Sequence, residues 1–138
     1  MTDRKNAKYI VSDLIPNPDR PEPPGYSEWA KRLLWMNDKI VPGSYNFMAS
    51  WYLKAPTKGL EAHVHDYPEV IIFLGSNPED PYDLGGEIEF WMEDEQYILT
   101  RSCFIWVPTG LRHCPMVVRR VDRPIMHLGS SVRKDFKM

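Results

Sequence analysis

The sequence predicts an all-β fold built from short strands. After residue 25 the chain is a succession of short apolar runs rich in β-branched and aromatic residues, separated by turn residues such as "VPG", "APTKG" and "PTG". Regularly spaced runs of this kind are typical of a β-sandwich or a β-barrel. The runs include "RLLWM", "SYNFMASWYL", "EVIIFL", "EIEFWM", "QYIL", "CFIWV", "PMVV" and "PIMHL".

Alternation within the runs supports strands rather than helices. In "GEIEFWMEDEQ" the apolar residues Ile88, Phe90 and Met92 share one parity, and glutamates 87, 89 and 93 take the other. Successive side chains of a strand point to opposite faces, so this pattern predicts one buried and one solvated face. Within the predicted domain, only residues 26–37, "YSEWAKRLLWMN", also fit a helix.

The N-terminal segment differs in composition from the rest. Residues 16–25, "PNPDRPEPPG", contain five prolines in ten positions. Because proline cannot donate to a β-ladder or continue a helix, an extended arm is expected. The sequence therefore predicts an arm over residues 1–25 and a single β domain over residues 26–138.

Composition excludes several classes of function. The chain has 138 residues and a net charge of -2, which gives no electrostatic case for binding nucleic acid or an anionic membrane. No apolar run is long enough to span a bilayer, and the charged N-terminus does not resemble a secretory signal. Only two cysteines are present, without a Cys-x-x-Cys pair. A cytoplasmic, reduced protein is expected.

The stretch "HVHDYPE" carries the strongest chemical signal. His63 and His65 lie two residues apart, so on a strand they project from the same face, roughly 7 Å apart. Two such imidazoles can converge on one ion with bonds of about 2.1 Å. A lone His-x-His, however, is more often a surface or core feature than a metal site.

Glu69 can join these histidines only if the chain turns. On a straight strand Glu69 would lie about 13 Å beyond His65. Residues 66–68, Asp-Tyr-Pro, favour a turn, after which Glu69 would begin the next strand and face back. That strand, "EVIIFL", is then expected to run antiparallel to the strand that ends at His65.

His113 is the remaining candidate ligand. It follows the run "CFIWV" and the turn "PTG", and it begins the next run. Together with His63, His65 and Glu69 it gives a mixed nitrogen and oxygen set. Such a set suits one divalent transition metal ion, and manganese, iron, nickel, cobalt, copper and zinc all remain possible.

These two stretches resemble the two motifs of the cupin superfamily. "GLEAHVHDYPEVIIFLG", from Gly59 to Gly75, is similar to the first motif, and "PTGLRH", from Pro108 to His113, to the second. The resemblance implies an antiparallel cupin barrel (a jelly roll, or double-stranded β-helix) behind the proline-rich arm. It also implies the metal ligands His63, His65, Glu69 and His113, and a homodimer. Ser102 and the long loop "SNPEDPYDLGG" depart from the usual pattern.

Five other residues are candidates for the site. Glu61, Tyr67 and His127 are candidates for moving protons, although packing or exposure is the commoner role for such residues. Arg119 shares strand parity with His113 and is the preferred inward arginine for binding a substrate carboxylate. Tyr52 is a second candidate substrate contact. Cys114 is expected to face away from the ligands.

Function has to be argued from this site, because the cupin fold supports many chemistries. The leading expectation is a metal-dependent enzyme acting on a small carbonyl-containing or enolisable acid, with the ion as Lewis acid. Hydrolysis of a carbon–carbon bond, lysis, decarboxylation and isomerisation all fit. The alternatives are an Fe(II)-dependent dioxygenase and a non-catalytic cupin that binds a metal or metabolite. The expected partner is a small molecule, with no nucleic acid or membrane.

Overall fold

The computed structural model describes residues 4–16, 21–56, 59 and 61–132. Eight β-strands make up nearly half of this part of the chain, and each apolar run quoted above overlaps one of them. The all-β prediction is confirmed. The strands are β1 (Ala30–Met36), β2 (Asn46–Tyr52), β3 (Glu69–Leu74), β4 (Asp83–Met92), β5 (Glu95–Arg101), β6 (Cys103–Val107), β7 (His113–Val121) and β8 (Ile125–Ser131).

The strands form two antiparallel sheets. The larger sheet has the order β1-β2-β8-β3-β6, and the smaller has the order β5-β4-β7. Burial alternates along the central strands; in β3, for example, Glu69, Ile71 and Phe73 are buried and the residues between them are partly exposed. Phe73, Phe90 and Ile88 are fully buried members of one apolar core to which both sheets contribute.

A β-bulge in β7 changes which of its residues face the core. Phe90 of β4 lies opposite Met116, but Met92 lies opposite His113, so three steps along β7 match two along β4. One extra residue in a strand shifts the parity of everything beyond it. His113 and Cys114 are therefore both buried, and Met116 continues the inward face.

Two glycines at the ends of the first motif permit close backbone contacts. A Cβ atom at Gly59 would clash with the carbonyl oxygen of Met116 in β7. A Cβ atom at Gly75 would clash with the carbonyl oxygen of Asp83 at the start of β4. Glycine is required at such approaches because any larger residue would push the backbones apart. Both contacts tie the segment that carries the candidate ligands to the smaller sheet.

The helical alternative for residues 26–37 is wrong for most of its length. Only a single 3₁₀ turn, Tyr26–Glu28, forms there, and β1 follows it and pairs with β2. Pairing along β2 outweighs the weak helical pattern, since tertiary contacts override local propensity. The described helices are this turn and a second 3₁₀ turn, Ala7–Tyr9. Neither is long or apolar enough to cross a membrane.

Described residues of the predicted arm contact β1. The indole N–H of Trp35 donates a hydrogen bond to the carbonyl of Ile15. The guanidinium of Arg32 donates another to the carbonyl of Pro21, at 3.3 Å. The division of the chain at residue 25 stays a prediction, and residues 1–3, 17–20 and 133–138 lie outside the described part.

Candidate metal centre

The four predicted ligands come from three separate segments. Glu69 is the first residue of β3, and His113 is the first residue of β7. His63 lies in an isolated antiparallel bridge with His113, with N–O distances of 2.9 and 3.0 Å between the two backbones. His65 follows, and its carbonyl accepts a hydrogen bond from the backbone N–H of Gly110.

The chain bends at Asp66 and Tyr67, and Glu69 begins the next strand. The turn does not make β3 the hairpin partner of the His-x-His segment, however. β3 pairs with β6 and β8, whereas His63 pairs with His113 of the smaller sheet. The bend therefore carries the chain from one sheet to the other instead of closing a hairpin. Glu69 faces the histidines across the interior.

The side chains of the four residues converge. One donor atom from each of His63, His65, Glu69 and His113 can be chosen so that all lie within 4.8 Å of one another. Ligand bonds of about 2.1 Å place donors about 3–4.2 Å apart around an ion, so this cluster needs only a small contraction. His65, Glu69 and His113 are buried, and His63 is partly exposed. Solvent therefore reaches the cluster from the side of His63.

Backbone carbonyls orient two of the imidazoles. Nδ1 of His63 lies 2.9 Å from the carbonyl oxygen of Glu61, and Nδ1 of His113 lies 3.0 Å from that of Leu111. A carbonyl oxygen can only accept, so each Nδ1 carries the proton. Each Nε2 then presents a lone pair, which is the usual arrangement of a metal-binding histidine.

The Nε2 atoms of two histidines approach the same carboxylate oxygen. Oε1 of Glu69 lies 2.7 Å from Nε2 of His113 and 3.4 Å from Nε2 of His65. Nε2 of His113 is buried and makes no hydrogen bond of normal geometry within the described chain, despite this short contact. Acceptor atoms repel each other unless a cation lies among them. The donor set thus fits a divalent metal ion, or a proton in its absence.

In the metal-free cluster, the close contact between Glu69 and the histidines shifts their pKa values. Burial alone would raise the pKa of Glu69, but the histidines, His113 foremost, hold it below its ordinary value of 4.5. Burial alone would lower the pKa of His113, but the Glu69 carboxylate and the Leu111 carbonyl raise it above 6.5. Both shifts favour a charged pair in the interior.

Two of the candidate proton carriers lie beside ligands. Tyr67 is buried and stacks on His65, with ring centroids 4.7 Å apart and an interplanar angle of 23°. The Glu61 side chain is exposed, which was one of the two positions that the sequence left open for it. It is the backbone carbonyl of Glu61 that contacts the site, through His63. The chain just before the first histidine is not part of a regular strand, so strand parity did not apply to Glu61.

His127 and Tyr52 lie in the interior but away from the ligands. His127 stacks on Tyr52 and Phe73, each with ring centroids 5.1 Å apart, and its Nδ1 lies 3.3 Å from the carbonyl of Ile72. Phe73 pairs with His127 four residues beyond Glu69, about 13 Å along β3. Tyr52 is buried in the core against Trp29. Neither residue lies beside the metal ligands.

Arg119 does not face the interior. It is exposed on the smaller sheet, where its guanidinium forms an ion pair with Glu89. Arg119 does not share a face with His113, as strand parity predicted, because the bulge in β7 lies between them. The same bulge turns Cys114 inward, contrary to expectation. Burial and the nearby charge of Glu69 raise the pKa of the Cys114 thiol to about 12.

Two interior polar residues were missed. Asn46 of β2 and Ser131 of β8 are 2% and 6% exposed, and they lie opposite each other, with Glu69 opposite Ser131 on the other side. Neither was singled out from the sequence, since Asn46 lies within the run "SYNFMASWYL" and Ser131 follows the run "PIMHL". The alternation in "NFMASWY", which puts Asn46 in phase with the buried Tyr52, was the available signal.

Known structures share this arrangement of strands. A cupin-like protein of Thermotoga maritima is 16% identical, covering 76% of this chain and 68% of that chain, with a TM-score of 0.50. Oxalate oxidase, solved with the substrate analogue glycolate, is 13% identical, covering 98% of this chain and 64% of that chain, with a TM-score of 0.56. The chain has the cupin fold. It spans about two thirds of the oxalate oxidase chain.

The cupin fold does not by itself determine an activity here. Peruvianin-I, a cysteine peptidase from Thevetia peruviana latex, is 12% identical, covering 97% of this chain and 77% of that chain, also with a TM-score of 0.56. An oxidase and a peptidase are thus equally similar in structure. No protein-family model and no curated protein sequence matches the chain. The activity of this chain has to be argued from its own side chains.

Proposed function

We propose that this cupin binds one divalent transition metal ion through His63, His65, Glu69 and His113. We further propose that it is an enzyme acting on a small carbonyl-containing or enolisable acid. The observation that carries the proposal is the convergence of two imidazole Nε2 atoms on one oxygen of a buried carboxylate. That arrangement is costly without a cation and favourable around one.

Backbone and side-chain groups around the ligands would have separate roles at such a site. Glu61 and Leu111 hold the proton on Nδ1 of two histidines, so that Nε2 stays free of it. Tyr67 packs against the ring of His65 and fixes its orientation. A bound divalent ion would act as a Lewis acid and lower the pKa of a coordinated water. The partial exposure of His63 supports entry of substrate from that side.

Proton transfer is proposed for the groups nearest the ligands. Tyr67 contacts His65, and the exposed Glu61 precedes His63 by two residues at the open side. His127 is too far along the sheet to exchange a proton directly with a substrate held at Glu69. Glu61 and Tyr67 therefore remain candidates, and His127 does not.

The same ligands would also suit Fe(II) in a dioxygenase, or a metal in a non-catalytic binding protein. A direct test loads the metal-free protein separately with Mn²⁺, Fe²⁺, Co²⁺, Ni²⁺, Cu²⁺ and Zn²⁺ and measures bound metal by elemental analysis. Each loaded form is then assayed with a panel of small oxo-, hydroxy- and dicarboxylic acids and with catechols, with dissolved oxygen recorded. Oxygen consumption identifies the dioxygenase, and turnover without it identifies the Lewis-acid enzyme. Binding without turnover identifies the non-catalytic protein.

The chain contains its own matched control for the metal assignment. It has four histidines, and only His127 lies outside the cluster. We expect His63→Ala and His65→Ala to lose stoichiometric metal, whereas folded His127→Gln keeps it. Equal metal content in all of these variants would refute the assignment.

A further inference from the structure

Three strands of the larger sheet bring polar side chains next to one another on its inner face. Asn46 of β2 lies opposite Ser131 of β8, and Ser131 lies opposite Glu69 of β3. Residues directly opposite each other in antiparallel strands share a face, with Cβ atoms about 4.5–5.5 Å apart. Asn46 and Ser131 therefore extend a line of polar groups from the ligand Glu69 across the interior.

The Asn46 and Ser131 side chains of this line are buried. Asn46 is 2% exposed and Ser131 is 6% exposed. Within the described part of the chain, neither Nδ2 of Asn46 nor Oγ of Ser131 has a hydrogen-bond partner. Buried donors are nearly always satisfied, because leaving one unpaired is costly. Two such donors beside a metal ligand are in a position to bind the oxygen atoms of a molecule held there.

We propose that Asn46 and Ser131 form an oxygen-binding subsite that receives the carboxylate of a small acid held at the metal. The proposal rests on the proposed function. An amide Nδ2 and a hydroxyl both donate, and a carboxylate oxygen only accepts. A divalent ion, the Glu69 carboxylate and three neutral imidazoles leave one net positive charge, which matches a monoanion. The Cα atoms of Asn46 and Glu69 are two strand spacings apart, about 10 Å, which suits an acid of few carbons.

A matched control lies on the same strand. Ser50 of β2 is fully buried, and its Oγ also lacks a hydrogen-bond partner within the described residues. It is four residues from Asn46, about 13 Å along the strand, opposite His127. Ser50→Ala therefore removes the same chemical group from the same sheet face without touching the subsite.

The experiment measures binding rather than turnover. Wild type, Ser131→Ala, Asn46→Ala and Ser50→Ala are loaded with Zn²⁺, their metal content is measured, and each is titrated calorimetrically with glycolate and pyruvate. We expect full metal content in all four proteins. Ser131→Ala and Asn46→Ala should each weaken the binding of the acid about tenfold, the effect of losing one hydrogen bond. Ser50→Ala should leave it unchanged.

Stability distinguishes this role from a structural one. A donor reserved for a ligand contributes nothing to the ligand-free fold, so Ser131→Ala should keep or raise the Tm of zinc-loaded protein without acid. If the fall in that Tm corresponded to a loss of stability as large as the loss of binding free energy, the proposal would be overturned. Equal binding by Ser131→Ala and Ser50→Ala would also overturn it, as would a wild type that holds zinc but neither acid. A wild type that holds no metal would overturn the proposed function, and the subsite with it.

Discussion

Oε1 of Glu69 lies 2.7 Å from Nε2 of His113, although the two residues begin strands in different sheets. The contact joins the sheets at one end of the interior. It exists because the bend at Asp66 and Tyr67 starts β3 facing inward, while the bridge to His63 fixes His113 opposite it. Together, the bend and the bridge bring a carboxylate and three imidazoles to one place.

Replacing the carboxylate of Glu69 should weaken metal binding without preventing folding. Glu69→Gln keeps the shape of the side chain but removes the negative charge at the centre of the cluster. We expect the affinity for Zn²⁺ to fall at least tenfold, since even groups behind the ligands are worth about 10–100-fold. Competition with a chromophoric chelator measures the change. Glu89→Gln, which removes a charge from an exposed ion pair with Arg119, is the control and should bind zinc as wild type does.

The metal-free protein should be most stable in mildly acidic solution. The depressed pKa of Glu69 gives a contribution that is complete above about pH 4.5 and lost as pH falls through the folded pKa. The raised pKa of His113 gives one that is complete below about pH 6.5 and lost as pH rises through the folded pKa. The advantage of wild type over Glu69→Gln in Tm should therefore peak between these values. Thermal unfolding of both proteins in chelator, from pH 3.5 to 9, measures it.

Bound metal should move this optimum upward. Protons compete with the ion for the imidazoles, so the stabilisation by zinc grows as pH rises above the pKa values of the histidines. An unchanged pH of maximum stability in the zinc-loaded protein would contradict the assignment of these residues as ligands.

The sequence was most informative where local rules apply. Period-two alternation identified the strands, and the bend before Glu69 followed from Asp66 and Pro68 because a straight strand could not deliver all the ligands. The strand partner of β3 could not be obtained in this way. Pairing across sheets depends on long-range contacts, and the antiparallel hairpin that the turn suggested competes with a bridge to His113 that lies 50 residues away in the chain.

Arg119 shows a different limit of prediction from sequence, which concerns the direction of a side chain. Its inward orientation was inferred by counting residues from His113, and the extra residue of β7 between His113 and Met116 reverses that count. Arg119 itself lies at a second register shift, between Val118 and Arg120. The bulge is visible only through the register with β4. Asn46 and Ser131 were not singled out from the sequence at all, and their burial became apparent only from their neighbours in the fold.

Cys114 should react with thiol reagents far more slowly than Cys103 in the folded protein. Cys114 is 3% exposed with a pKa of about 12, so thiolate is scarce at neutral pH and reagent access is poor. Cys103 also has a pKa raised by burial but is only partly buried. Alkylation followed by peptide mass spectrometry gives the two rates, and unfolding in urea should make them similar. Equal rates in the native protein would show that Cys114 faces outward after all.

The outer surface of β6 is where we expect two copies of the chain to meet. β6 ends the larger sheet, and its side chains Phe104 and Trp106 are 73% and 62% exposed. They lie opposite Ile72 and Val70 of β3, so the aromatic pair continues an apolar strip. An exposed apolar edge strand favours association with a second copy, which covers both the strip and the unpaired backbone groups.

Trp106→Lys should therefore convert a dimer into a monomer, as measured by sedimentation equilibrium. The charge would have to be buried in the interface, which is costly in the dimer but not in the monomer. Tyr82→Lys introduces the same charge at an aromatic residue of similar exposure, 64%, in the loop before β4, and should leave the dimer intact. A wild type that sediments as a monomer would exclude the interface. A dimer that survives Trp106→Lys would place its contacts on another surface, because a lysine ammonium at the centre of an apolar strip cannot reach water without separating the two copies.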